Sequence, residues 1–131
     1  TLSLHDALPI FDLEINIIDD KEIHAYENEY SQVVLNLLTN AKDALISRNI
    51  KKPLINITLK SDNSTTITTI SDNAGGIENN YIEQIFEPYF TTKEKGSGIG
   101  LYMSRIIIEN HFKGKIEILN NKSGASFLII I

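Results

Sequence analysis

A chain of 131 residues without a single cysteine can bury one core of its own, and it excludes disulfides, thiolate metal sites and a cysteine nucleophile. Seventeen acidic residues against twelve basic ones leave a net charge of −5, and with no basic run the electrostatic footprint of a nucleic-acid binder is excluded too. The longest apolar run, Phe127 to Ile131, is far too short to span a bilayer, so one domain without membrane contact of its own is expected.

Thr1 to Ile10 fits the remainder poorly and reads as a non-native, adapter-derived segment, with the domain proper expected over 11–131. Phe11 to Ile18 alternates as a strand, and a short strand is expected over Ile23 to Tyr26. Asn28 to Arg48 carries Val33, Val34, Leu37, Leu38, Ala41 and Leu45 at helical spacing, which predicts a long helix capped by Asn28. Pro53 opens a strand through Lys60, Asp62-Asn63-Ser64 makes a turn, and Thr65 to Ser71 alternates as the antiparallel partner. Asn80 to Phe86 predicts a short helix stopped by Pro88. Gly98 to His111 predicts a second long helix with Ile106, Ile107 and Ile108 in the core, and Lys115 to Leu119 with Ser126 to Ile131 predicts a closing hairpin. This alternation implies an α/β two-layer sandwich, with helices on one face of a mixed β-sheet.

Four short motifs follow one another on this frame: Asn36-Leu37-Leu38-Thr39-Asn40-Ala41, Asp72-Asn73-Ala74-Gly75-Gly76-Ile77, Phe86-Glu87-Pro88-Tyr89-Phe90-Thr91-Thr92-Lys93, and Gly96-Ser97-Gly98-Ile99-Gly100-Leu101. Asn36 and Asn40 are one helical turn apart and can meet one ligand together, although such a pair alone equally suits a solvated face. Magnesium prefers oxygen ligands and keeps several waters, so one amide oxygen is a sufficient protein contribution when phosphate oxygens complete the shell. Asp72 to Gly76 reads as a strand end running into a tight turn, which on its own is a generic hairpin loop. Gly96, Gly98 and Gly100 precede an apolar helix, the arrangement by which backbone amides and a helix N-terminus cradle phosphate. A Rossmann loop would need a strand directly before it, whereas Thr91 to Lys95 is polar and loop-like, and no Gly-Lys-Ser/Thr closes a Walker loop. Thr91 to Ser97 therefore reads as a lid hinged by glycines, its start anchored on the core by Phe86 and Phe90. His24 and His111 have no partners at metal-ligand spacing and read as surface or structural residues, and Lys42 points to solvent.

In this order the motifs resemble the N, first glycine, F and second glycine boxes of the catalytic ATP-binding domain of sensor histidine kinases. That superfamily also includes gyrase-type topoisomerases, a heat-shock chaperone and mismatch-repair ATPases. The resemblance runs from Asp12 to Ile131 and implies the Bergerat ATP-binding fold, protein histidine kinase activity, and ATP and Mg2+ as cofactors. It implies Asn40 as the magnesium ligand, with Asn36 beside it. It implies Asp72 as acceptor of a hydrogen bond from the adenine exocyclic amine, where the oxygen of guanine would be repelled. Gly76 and Ile77 would complete that turn. Phe90, Lys93, Gly96, Gly98, Ile99, Gly100 and Leu101 would belong to the phosphate side, with Lys93 reaching a phosphate. Ser126, two after Gly124, would help bind adenine through water. Asp43, where some relatives carry a lysine on the phosphates, would reach ribose or nearby water.

Two departures from the family pattern have physical consequences. Ala74 stands where Asp-x-Gly-x-Gly-Ile has its first glycine, so the turn should lean on Gly75. Asn36 stands where gyrase-type and chaperone-type ATPases carry the glutamate that activates water, and an amide takes no proton near neutral pH, which favours transfer to a partner over hydrolysis. The implied partners are a dimerisation and histidine-phosphotransfer domain and, downstream, a response regulator, in the cytoplasm. His5 with Asp6 and Pro9 resembles a phosphoacceptor box, but too few positions separate it from Asn36 to hold a two-helix hairpin and the strands before the N box. The acceptor is thus expected on a separate domain, with ATP binding but little turnover by this chain alone. An anti-sigma-factor-type serine kinase regulator shares the fold and nearly the length, but Phe86 to Lys93 argues against it. A conformational ATPase of the gyrase and chaperone type is disfavoured by Asn36.

Overall fold

The computed structural model describes residues 12–18, 26–92 and 96–131. The expectations placed on Thr1 to Ile10, on a strand at Ile23, on His24 and on Lys93 fall outside them. The described elements are β1 (Asp12–Ile17), α1 (Glu27–Ser47), β2 (Leu54–Asp62), β3 (Thr65–Asp72), a 3-10 turn (Asn79–Tyr81), α2 (Gly100–Ile106) widening into a π turn (Ile107–His111), β4 (Lys115–Asn120) and β5 (Ala125–Ile130). They form one five-stranded sheet in the order β1-β2-β3-β5-β4. β1 pairs with β2 in parallel, which requires a crossover, and α1 supplies it. The other pairs are antiparallel, so the sheet is mixed.

Strand alternation sorts the sheet into two faces. Ile55, Ile70, Ile116, Phe127 and Ile129 are buried on the helix side, where they meet Val33, Leu37, Leu38, Ala41 and Leu45 of α1 and Ile107, Ile108 and Phe112 after α2. The opposite face carries the partly exposed Asn56, Thr58, Thr69, Ser71 and Ser126, the polar side of a sheet covered by helices on one face only. The expected two-layer architecture is therefore present. Among the described residues no helix is long and apolar enough to cross a membrane.

Three local expectations need correction. Asn28 lies inside α1, whose N-cap is Tyr26 without a side-chain cap bond. Tyr26 is instead held by edge contacts to His111 and Phe112, and Glu27 and Glu29 put acidic charge in the first turn, where the helix dipole favours it. The short helix at Asn80 to Phe86 is reduced to a 3-10 turn and successive tight turns, with Tyr81 N–H donating to Glu78, Gln84 to Tyr81 and Glu87 to Gln84. The second long helix starts at Gly100 and ends in a π turn, which keeps Ile107, Ile108 and Phe112 buried together. His111 leaves that turn to bond Glu29 of α1, a structural role in keeping with its sequence reading.

Candidate functional site

Two clusters of motif residues form along α1, one at its C-cap Arg48 and one at Asn36 near its middle, about 18 Å apart along the axis at 1.5 Å per residue. The first surrounds Asp72, which ends β3 on the helix side, paired with Ile55 of β2 and one residue beyond the Ser71–Ser126 pair. Its Oδ1 accepts the Ala74 N–H at 3.0 Å and, more weakly, the Ala125 N–H at 3.5 Å. With both bonds on Oδ1, Oδ2 is the acceptor left for a ligand. Burial pushes the Asp72 carboxyl above its ordinary 3.8, an effect opposed in part by the two N–H groups and by the charge of Arg48.

The turn that follows is carried by Gly75 at φ +96° and Gly76 at φ +83°, with Ala74 outside the left-handed region. Alanine is tolerated at the departed position because the turn has moved its positive φ onto the next two residues. Gly76 is buried, and a Cβ there would lie 2.1 Å from the Asn121 carbonyl oxygen. The loop is tied from both sides. Arg48, at the C-cap of α1, donates through Nη1 to the carbonyls of Ala74 at 2.7 Å and Gly76 at 2.5 Å. Asn120, at the end of β4, takes the Ile77 N–H on Oδ1 and returns Nδ2 to the Ile77 carbonyl, both at 2.7 Å. Gly75 N–H donates to Ser123 in the β4–β5 loop, and Gly124 of that loop passes so close to Asp72 that a Cβ would meet its carbonyl oxygen at 1.8 Å.

The second cluster joins α1 to the start of α2. Asn36 Nδ2 donates to Ser104 Oγ at 3.1 Å and to the Gly100 carbonyl at 3.4 Å. Ser104 is fully buried, so this bond satisfies a hydroxyl that water does not reach. Ile99 is the α2 N-cap, its N–H held by Ser97 Oγ, and Leu101 packs on the core. Gly98, at φ +72°, lies against the F box: a Cβ would meet the Tyr89 carbonyl carbon at 2.4 Å, and Tyr89 N–H donates to the Gly98 carbonyl. The F-box rings sit as expected, with Phe90 tilted on Tyr81 at 5.5 Å and Phe86 edge-on to Phe127 at 6.2 Å. Gly96 is described at the far side of the 93–95 segment and is partly buried.

Asn40 and Asp43 share the face of α1 that carries Asn36 and lie between the two clusters. Among the described residues no group of three or more His, Cys, Asp or Glu side chains could hold a metal ion. A cation here would take few protein atoms, which fits an amide such as Asn40 acting together with ligand oxygens and does not fit an all-protein cage.

The structure does not bring Ser126 together with the other motif residues. Ser126 pairs across the strands with Ser71, and the two hydroxyls bond at 2.7 Å on the face away from the helices. Strand parity puts Ala125, not Ser126, on the side of Asp72. Arg48, Asn120 and Ser104 were not anticipated. Ser104 had a usable signal, a small polar residue one turn after Gly100 and at helical spacing from the apolar Ile107 and Ile108. Arg48 and Asn120 had none, since each acts on backbone 26 to 43 residues away.

Residues 25–131 match the family described as histidine kinase-, DNA gyrase B-, and HSP90-like ATPase. The chain is 38% identical over 110 residues to the signal transduction histidine-protein kinase AtoS of Escherichia coli (strain K12), covering 83% of this chain and 17% of that protein. It is 35% identical over 115 residues to the two-component sensor PprA of Pseudomonas aeruginosa, covering 82% of this chain and 12% of that protein. The chain thus spans less than a quarter of these curated relatives. Among solved structures, the catalytic domain of histidine kinase ThkA superposes with a TM-score of 0.79 at 30% identity, covering 92% of this chain and 78% of that one. ThkA has also been solved in complex with the response regulator protein TrrA, and that chain superposes with a TM-score of 0.74 at 26% identity, covering 92% of this chain and 34% of that one.

Proposed function

Because the chain belongs to the histidine kinase-, DNA gyrase B- and HSP90-like ATPase family, as one of its histidine kinase catalytic domains, we propose that it binds ATP with Mg2+ and presents the γ-phosphate to a histidine on a separate dimerisation domain. The parent is then a two-component sensor kinase that passes the phosphoryl group on to a response regulator, with this domain in the cytoplasm. The observation that carries the reading is Asp72: a half-buried carboxylate at a strand end, one oxygen held by backbone N–H groups and the other available, above a turn of two left-handed glycines.

Asp72 accepts the exocyclic amine of adenine and excludes guanine, which offers an oxygen at that place. Gly76 and Ile77 support the base. From there the nucleotide runs along the Asn36, Asn40 and Asp43 face of α1, with Asp43 near the ribose. The phosphates reach the Gly96 to Leu101 segment, whose amides and helix start receive them, and Phe90 and Lys93 close that end. Asn40 holds Mg2+, which neutralises charge on the phosphate oxygens when bound. Catalysis rests on positioning and electrostatic stabilisation, as phosphoryl transfer requires. Asn36 supplies no general base.

Calorimetric titration of ATP and GTP into the full chain, with and without magnesium, tests this. Selective, magnesium-sensitive ATP binding with negligible phosphate release is the expected result. Absence of ATP binding would overturn the reading, and steady phosphate release by the isolated chain would overturn its transfer part.

A further inference from the structure

Arg48 has no place in the motifs, yet it makes two short bonds to the turn after Asp72, at 2.7 Å to Ala74 and 2.5 Å to Gly76. The two carbonyls bracket Gly75, and neither belongs to the sheet. One Nη1 carries two hydrogens, so a single nitrogen satisfies both acceptors, and the guanidinium also lies 3.3 Å from where a Gly75 Cβ would be. The Ala74 residue is thereby held twice: its N–H binds Asp72 Oδ1 and its C=O binds Arg48. A two-glycine turn has more backbone freedom to lose than any other, and here that freedom is removed before a ligand arrives.

We propose that Arg48 is a positioning residue for base recognition, fixing the Ala74 and Gly76 peptides so that Asp72 and the turn are preset for adenine. This rests on the ATP reading of Asp72 given above. Arg48 acts through the backbone, with no hydrogen bond to Asp72 itself, and its positive charge beside the carboxylate also favours the ionised acceptor. A charged donor on neutral carbonyls forms the stronger class of hydrogen bond, and the α1 C-terminus on which Arg48 sits is anchored by the buried Leu45.

Two measurements on the full chain, each made on wild type, Arg48→Ala and Arg48→Lys, test the proposal. The first is amide hydrogen exchange in the absence of nucleotide. Arg48→Ala should speed exchange at Ala74, Gly75 and Ile77 about tenfold or more while leaving β2 and β3 unchanged, with Arg48→Lys between. The second is calorimetric affinity for adenosine, ADP and ATP with magnesium. A position acting at the base end should weaken all three by a common factor of about tenfold, the value of one charged hydrogen bond, with the magnesium dependence intact. Unchanged exchange in the turn overturns the proposal, as does a loss confined to ATP with magnesium. A lower melting temperature with unchanged affinities would make Arg48 merely structural and also overturn it. Should Arg48→Ala not fold, Arg48→Lys carries both readouts. If wild type binds no adenine nucleotide while exchange responds as expected, the failure belongs to the ATP reading and not to the hold of Arg48 on the turn.

Discussion

Asp72→Asn separates recognition from folding, because the two respond to this carboxylate with opposite sign. Burial raises the Asp72 pKa above 3.8 in the folded protein, with the N–H groups of Ala74 and Ala125 and the charge of Arg48 offsetting it only in part. A folded-state pKa above the unfolded one means that the native state binds more protons, so stability falls as pH rises from 3.8 through the raised value. At neutral pH the ionised carboxylate therefore works against the fold. Asparagine keeps an Oδ1 acceptor for both N–H groups and removes the charge, so the melting temperature of Asp72→Asn near pH 7 should equal or exceed that of wild type. Nucleotide affinity should move the other way. A hydrogen bond to a charged group contributes about 1.5–3 kcal/mol, equivalent to roughly 10- to 150-fold in Kd. ATP affinity should fall by that factor while the weak GTP signal barely changes. Acidification supplies a second test. Wild-type ATP affinity should decline as pH drops through the raised pKa, beginning above 3.8, and the Asn variant should lack that decline. Calorimetry for affinity and a thermal melt on the same samples decide the matter. Unchanged ATP affinity, or a loss tracked by an equal fall in melting temperature, would refute the assignment.

Asn40→Ala should abolish the magnesium dependence of ATP binding while altering metal-free ADP binding less than threefold; calorimetry with and without magnesium reads the difference, and the reverse pattern would remove Asn40 from the metal. Gly124→Ala drives a Cβ to 1.8 Å from the Asp72 backbone oxygen, and since both atoms are constrained by the strand end it should cost about 1–3 kcal/mol, seen as a lower melting temperature together with weaker ATP binding. Ser104→Ala leaves Asn36 without its 3.1 Å partner and should destabilise the chain by about 1–2 kcal/mol in urea titration, with the loss in affinity larger for ATP than for adenosine because the bond joins α1 to the phosphate side.

The legible parts of this fold are those with a local period. Val33, Leu37, Leu38, Ala41 and Leu45 recur at 3.6 residues and are the buried stripe of α1, and the alternation Thr66, Thr68, Ile70 marks the buried side of β3. The asparagine and glycine boxes were legible because their chemistry is written in consecutive residues. What was not legible is whatever depends on register or on distant backbone. Ser126 has the expected residue type, but pairing Ser71 with Ser126 turns both hydroxyls away from the helices, which only the strand register reveals. The π turn at Ile107–His111 follows from the joint burial of Ile107, Ile108 and Phe112, a tertiary demand with no helical signature. Asn120 and Asn121 look like ordinary hairpin residues. Asn121 does act as one, its Oδ1 accepting the N–H groups of Ser123 and Gly124, whereas Asn120 holds Ile77 across the site.

Asn36 shows how the two halves of the site constrain one residue. By its lack of basicity alone, an amide at this position explains only why water would not be activated. Its contacts add a second requirement. The Gly100 carbonyl can only accept a hydrogen bond, and Asn36 Nδ2 donates to it at 3.4 Å across the α1–α2 junction, beside its shorter bond to Ser104. A glutamate there, ionised at neutral pH, would set a carboxylate against that carbonyl oxygen at the start of α2. The donor that joins the N box to the second glycine box and the base that would promote hydrolysis are therefore mutually exclusive occupants of position 36. The donor that the junction of the two helices holds at position 36 thus supports the transfer reading proposed above over hydrolysis.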